Sequence, residues 1–328
     1  PSEVALRDEL EAGEAVCPHL ALARMSDGSP PIWPDSIVAA TPEEGRAAVR
    51  RIQDEDFDFV KVYTRLNLET FTAIVAEARQ RNMKVVGHLP LRNQAMTEQL
   101  LQPGFGMVAH AEEYSYQGPD RTDETIKRFA ALAKVNGTGL IATLTANEQI
   151  LAQARDLQAL RQRPELAYLH PLIRREWLEN NRYARFANPE GVAALANIVD
   201  FNNRLVRTFS EAGITIVAGT DSGIPGVMPG FALHDELQSL VEAGLTNWQA
   251  LAAATVTPTR WIGTESDRGT IEAGKAADLV LLDADPLAEI SNTRRIAAVI
   301  VGGQFLSKTV LDGRMAALAS KFSTEADR

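Results

Sequence analysis

The sequence predicts an α/β chain of the parallel β/α-barrel type, on three observations. Short apolar runs alternate with amphipathic stretches, the pattern of consecutive βα units. Four of those runs end on or beside a chemically active side chain: Phe59-Val60-Lys61-Val62-Tyr63, Val85-Val86-Gly87-His88, Met107-Val108-Ala109-His110 and Val217-Ala218-Gly219-Thr220-Asp221. Parallel barrels gather their active sites at that C-terminal rim of the strands. Beyond Gly263 the pattern changes to turn-punctuated β-sequence, which predicts a separate small module.

The elements follow in order. A strand is expected over residues 15–23. Thr41-Pro42-Glu43-Glu44 predicts a helix start, with a Thr cap, Pro at the first helical position and Glu placed to complete a capping box. After the strand that carries Lys61, the spacing of Phe71, Ile74, Val75 and Ala78 predicts one apolar helix face. Strands ending near His88 and His110 come next, then a helix over residues 123–134 and a strand over 139–144. Residues 147–212 read as a long helical insertion rich in Arg, Gln and Asn, part of it a lid or wall over the site. A strand over 214–218 leads to Asp221, and helices are expected over 234–242 and 247–261, the latter capped by Thr246. Residues 269–283 read as β, residues 296–306 as a hairpin turning at Gly302-Gly303, and the chain from Gly313 as a helical tail. The domain reading is a barrel over 1–262, part of a β-sandwich over 263–312 and the tail over 313–328. Counting gives six strands in the α/β part, where a closed barrel of this kind has eight.

Bulk properties narrow the function. The chain has 328 residues, 45% hydrophobic and 23% charged, with a mean hydropathy of −0.13, an ordinary globular balance. No apolar run approaches the ~18 residues that span a bilayer, so no membrane partner is expected. The net charge of −10 disfavours nucleic acid, whose phosphates want clustered basic residues. The single cysteine, Cys17, excludes an intrachain disulfide framework and a cysteine-rich zinc site. The start at Pro1 suggests a processed or trimmed product and leaves the compartment open between cytoplasm and periplasm. A homo-oligomer is left open as well.

The four strand-end residues suggest metal chemistry. His88 and His110 are spaced as one βα repeat would space them, which aims two imidazoles into one site, and imidazole is a common zinc ligand. A lysine buried in Phe-Val-Lys-Val-Tyr loses its charge readily, and a neutral amine reacts with carbon dioxide to give a carbamate whose two oxygens can bridge two cations. The competing reading has Lys61 paired with a carboxylate or reaching for solvent. Asp221 is either a turn aspartate or a carboxylate that passes a proton between water and leaving group.

Lys61 in Val-Lys-Val-Tyr, His88 in Val-Val-Gly-His-Leu-Pro, His110 in Val-Ala-His-Ala-Glu-Glu and Asp221 in Gly-Thr-Asp-Ser-Gly together resemble the metal-site motifs of the amidohydrolase superfamily. The nearest likeness is to its imidazolonepropionase-like and prolidase-like (Xaa-Pro dipeptidase) members. Residues 229–237, Ala253-Ala254-Thr255 and residues 269–280 extend it over nearly the whole chain. The resemblance implies a (β/α)8 TIM barrel, strands 3–8 of it in this chain, with a small β-sandwich built from both chain ends. It implies two divalent metal ions, zinc being the metal expected, bridged by a carbon dioxide-derived carbamate on Lys61. His88 and His110 would hold one metal, and Asp221 would hold the other and shuttle the proton. Relatives complete the second metal's shell with a His-x-His pair; none occurs here and His19 stands alone, so a further N-terminal segment is expected to be needed.

The resemblance also implies that Tyr63 binds the substrate or its tetrahedral intermediate. His234 either faces the substrate or merely starts a helix. Arg174, Arg175 and Arg185 could clamp a substrate carboxylate or lie on a solvated helix face. The expected activity is hydrolysis of an amide or peptide-like C–N bond in a small molecule, such as a dipeptide or N-acyl amino acid. Two alternatives stay open: a mononuclear deaminase of the same superfamily, and a non-catalytic scaffold or inactive fragment.

Overall fold

The computed structural model describes residues 2–12, 16–118 and 120–326, in two compact units. The first takes in the chain up to Ala142 together with Arg204–Val217; the second takes in Thr143–Asn203 and the chain from Ala218 onward.

The first unit is a parallel sheet of seven strands: β1 (Ala23–Asp27), β2 (Ile37–Val38), β3 (Phe59–Val62), β4 (Lys84–Gly87), β5 (Phe105–Ala109), β6 (Gly139–Ile141) and β7 (Ile216–Val217). Their spatial order is β2-β1-β3-β4-β5-β6-β7, so from β3 onward each strand lies beside its successor in the chain, the usual arrangement of consecutive parallel strands. The register places Lys61 of β3 opposite Val86 of β4, and Gly87 opposite Val108 of β5.

The helices over this sheet form where the sequence predicts them. Leu68–Gln80 buries Phe71, Ile74, Val75 and Ala78 almost completely, and each large apolar side chain so buried contributes about 1.5–3 kcal/mol. The cap of Pro42–Asp54 is the predicted capping box: Thr41 Oγ1 accepts from Glu44 N at 3.3 Å, and Glu44 Oε2 accepts from Thr41 N at 3.1 Å. A cap of this kind is worth about 1 kcal/mol, so apolar burial rather than capping dominates helix docking.

Several expectations are corrected. The strand placed over 15–23 is β1, starting only at Ala23; Ala15 lies outside the described residues, and Val16 to Leu22 form no regular element. Pro18 offers no N–H to a ladder, so it cannot continue a strand that is paired on both sides. A seventh strand, β2, joins the six expected; with two residues it is too short to show an alternating pattern. The strand over 139–144 stops at Ile141, and a helix begins at Leu144.

The second unit is helical with a small sheet. Leu144–Arg155 presents Ala146, Ile150, Leu151 and Ala154 to Leu195, Ile224, Val227 and Ala232. Leu160, Leu166, Leu169, Trp177 and Met228 form a second cluster. The helix expected over 247–261 is two, Asn247–Ala254 and Val256–Ile262. Pro258 has no N–H for the carbonyl of Ala254, and Thr255 Oγ1 donates back to Leu251 O at 2.7 Å, a bond that bends helices. The β-sequence over 269–283 narrows to β8 (Leu279–Leu282), which pairs antiparallel with β9 (Ile296–Val301); β9 turns through Gly302-Gly303 into β10 (Gln304–Ser307). The tail helix starts at Lys308, not Gly313, because Ser307 Oγ accepts from Val310 N and caps it.

One backbone contact in the first unit is tested directly by substitution. Gly87 has φ +137, and a Cβ built there would sit 2.1 Å from Val62 O. Gly137 has φ +69, but its Cβ would meet nothing within 4 Å. Gly137→Ala is expected to cost only the left-handed penalty of about 1–2 kcal/mol. Gly87→Ala should cost on the order of 3 kcal/mol or more, since backbone must move as well. Chemical denaturation of both variants checks this, and equal losses would disprove the close approach.

Candidate metal centre

In the first unit the chemistry-bearing side chains stand at the C-terminal ends of three consecutive strands. Lys61 lies in β3, while His88 and His110 are the residues just past β4 and β5. Both histidines continue the sheet ladder: His88 N donates to Val62 O and His110 N to Ile141 O, each at 3.0 Å. Because strand side chains alternate, Lys61 and Tyr63 share a side, and Val60 and Val62 are buried on the other. Lys61 is half-buried, where its apolar flanks suggested full enclosure.

The side chains form a continuous run. Lys61 Nζ lies 5.7 Å from the centre of the Tyr63 ring. That ring leans on His88 with centroids 4.0 Å apart, and His88 meets His110 edge to face at 5.0 Å. Both imidazoles are buried. Trp33 Nε1 donates to Tyr63 Oη at 2.9 Å, tying the phenol to the loop after β1. Asp27 organises that loop, accepting from Gly28 N and Arg65 N through Oδ1 and from Ile32 N through Oδ2. His110 holds φ +85, a strained value for a residue with a Cβ, and such strain collects at functional sites.

Glu113, three residues past His110, was not identified from sequence. Its side chain has 0% exposure, its Oε1 lies 3.0 Å from His88 Nδ1, and it pairs with Arg92. Burial by itself would raise its carboxyl; facing His88 and Arg92 outweighs that and holds it below the usual carboxylate range. Thr64 Oγ1 also lies 3.0 Å from His88 Nδ1, and the Arg92 guanidinium covers the Tyr116 ring at 4.2 Å. The only sequence signal for Glu113 was its place in His-Ala-Glu-Glu, where nothing distinguished it from Glu112.

The remaining predicted residues belong to the second unit. Asp221 is exposed with φ +52, in irregular backbone four residues past the end of β7 in the chain. His234 is half-buried in the helix Ala232–Glu242, its Nδ1 3.0 Å from Thr293 Oγ1. That hydroxyl donates to Ile290 O at 2.9 Å, so it accepts from His234 Nδ1–H. Burial first, and Arg294 second, push the His234 ring below its ordinary pKa. Arg174 is half-buried, Arg175 is exposed, and Arg185 is exposed over the Phe186 ring at 4.8 Å. His19 is exposed with Nδ1 4.0 Å from Glu11. Cys17 is a half-buried free thiol.

Among the described residues no group of three or more His, Cys, Asp or Glu side chains is gathered as a metal cage would be. The first unit instead offers two imidazoles and a lysine. The two imidazoles are donors of a kind that divalent metals take. No described helix is long and apolar enough to cross a membrane.

Glu236 shows the same burial of a carboxylate in the second unit. Burial pushes its carboxyl up to about 8, against the backbone N–H groups of Thr143, Leu144 and Thr145 that favour the anion. Thr145 N donates to Glu236 Oε2 at 2.9 Å.

The Amidohydrolase family model matches residues 63–306, a stretch that contains Tyr63, His88, His110, Asp221 and His234 and begins two residues after Lys61. An imidazolonepropionase of Shouchella clausii is 32% identical over 126 residues, 35% of this chain and 28% of that protein. The matches to curated relatives span between 18% and 30% of those proteins' lengths. Among solved structures, a bottromycin amidohydrolase aligns with a TM-score of 0.76 at 23% identity, covering 97% of this chain and 72% of that one. A putative prolidase from Bifidobacterium longum aligns with a TM-score of 0.66 at 25% identity, covering 98% and 74%. The seven-stranded parallel sheet and the small antiparallel sheet are thus consistent with a TIM-barrel-like fold.

The buried acid makes stability pH-dependent. In the folded chain Glu236 keeps its proton up to about 8, while the ordinary value is 4.5. Across that window the unfolded state binds fewer protons, so the stability Glu236 contributes is complete below the lower value and is lost as pH rises through the upper one. Urea titrations from about pH 5 to pH 8 should show wild-type stability falling more steeply than that of Glu236→Gln. Parallel profiles would rule this out.

Proposed function

The chain belongs to the amidohydrolase family, and on that premise we propose that it is a metal-dependent hydrolase of an amide or peptide-like C–N bond in a small molecule. The observation that carries the proposal is the placement of Lys61, His88 and His110 on three adjacent strands at the same end of one parallel sheet. Lys61, as a carbamate, and the two imidazoles would hold the metal; Asp221 is assigned to metal on its Gly-Thr-Asp-Ser-Gly motif alone. Divalent metal held there would supply Lewis acidity toward the scissile carbonyl and the attacking water.

The chain's own residues do the rest. His88 and His110 are buried and backed by the sheet, so they present rigid nitrogens. The Tyr63 phenol, positioned by Trp33, is the candidate to donate to the developing oxyanion. Asp221 is assigned the proton on its Gly-Thr-Asp-Ser-Gly motif, taking it from the attacking water and delivering it to the leaving amine. His234 is assigned to the substrate as a hydrogen-bonding group. Dipeptides and N-acyl amino acids are the substrate class, supported by likeness to a structure described as a Xaa-Pro dipeptidase with bound methionine.

The test is Lys61→Ala. Elemental analysis should find metal in the wild type and a loss of it in the variant, together with a fall in dipeptide hydrolysis. The fall should exceed about 100-fold, the upper end seen for loss of an outer-shell partner. Unchanged metal content and unchanged hydrolysis would defeat the carbamate assignment.

A further inference from the structure

We infer that Trp33 is a specificity-determining residue: its indole, with Ile32 beside it, forms the wall that receives an aromatic side chain of the substrate. The inference deepens the proposed hydrolysis of dipeptides and N-acyl amino acids, and rests on the reading of the rim at Lys61, His88 and His110 as the place where that amide binds.

Ile32 and Trp33 are adjacent large apolar side chains on the loop between β1 and β2, 40% and 41% exposed. Neighbouring apolar groups left that far in water are the kind of surface that binding sites present. Their position is fixed from several sides. Asp27 Oδ2 accepts from Ile32 N at 2.9 Å, while its Oδ1 accepts from Arg65 N at 2.7 Å. One carboxylate thus ties the loop to the segment just past Lys61 and Tyr63. Arg65 Nη1 donates to Pro30 O at 2.6 Å, and Gly28 runs so close that a Cβ on it would sit 1.9 Å from Arg65 O. Pro30, Pro31 and Pro34 restrict the backbone on both sides of the pair.

The indole N–H sets the direction. It donates to Tyr63 Oη at 2.9 Å, and the Tyr63 ring leans on His88, which meets His110. Indole and phenol are therefore neighbours on one rim, with the candidate centre on the far side of the phenol. A side chain already held in place loses little conformational freedom when a ligand covers it. An aromatic ring takes another ring better than a methyl group, because the pair gains from ring geometry as well as from buried area. A methyl side chain would leave most of Trp33 and Ile32 in water; a phenyl or larger ring covers them.

The test uses the full chain and free amino acids, which have no amide bond to cleave, so binding is read without turnover. Calorimetric titration of the wild type should show L-phenylalanine bound on the order of 10-fold more tightly than L-alanine. Trp33→Ala should bring that ratio close to one. Trp33→Phe, which keeps a ring but has no N–H for Tyr63, should keep most of it. No binding of phenylalanine, no preference in the wild type, an undiminished preference in Trp33→Ala, or equal loss in both variants overturns the inference. So does Trp33 fluorescence, taken as wild type minus Trp33→Phe, that acrylamide fails to quench in the ligand-free chain, since protein would then cover the indole. A preference that Trp33→Ala removes, with no hydrolysis of phenylalanine-containing dipeptides by zinc-loaded wild type, defeats the proposed hydrolysis and leaves the aromatic wall standing as a binding surface.

Discussion

Everything at the rim of the first unit depends on how closely β4 approaches β3 at Gly87. The missing side chain lets the backbone come so near Val62 that His88 N reaches Val62 O. Without that approach His88 would not be the next rung of the ladder, and its ring would not lie between Tyr63 and His110. The glycine's φ of +137 turns the strand at the position before the histidine, so the backbone itself sets where the imidazole points.

Around that contact the unit invests polar groups where an apolar core would serve stability better. Glu113 and Asp27 both have 0% exposure, and removing an ionised group from water is costly unless it is paired and hydrogen-bonded. Asp27 is satisfied by three backbone N–H groups and so shapes the loop carrying Trp33. Glu113 meets His88 and Arg92 through Oε1, while its Oε2 is buried without a hydrogen-bond partner. Neither acid is a candidate for the chemistry; each holds in place something that is. The strained φ of His110 has the same character, a local cost borne by the sheet that frames it.

Much of the fold was legible because it rests on local rules. The capping box at Thr41, the apolar face of Phe71, Ile74, Val75 and Ala78, and the hairpin at Gly302-Gly303 each follow from a few neighbouring residues. The misses share a cause as well. The two-residue β2 has no periodicity to detect, and the break at Thr255 needed the consequence of Pro258 one turn later to be weighed against an unbroken apolar pattern.

By itself the sequence determined the order of βα units, the helix caps and the identity of Lys61, His88, His110 and Asp221 as strand-end residues, because periodicity and residue type are properties of short stretches. Tertiary structure alone decided which groups meet. Glu113 and Arg92 lie 25 and 4 residues from His88 in the chain, and no local pattern says that both converge on its ring. That convergence is set by the register of parallel strands joined through helices, a non-local quantity that only the packed sheet fixes.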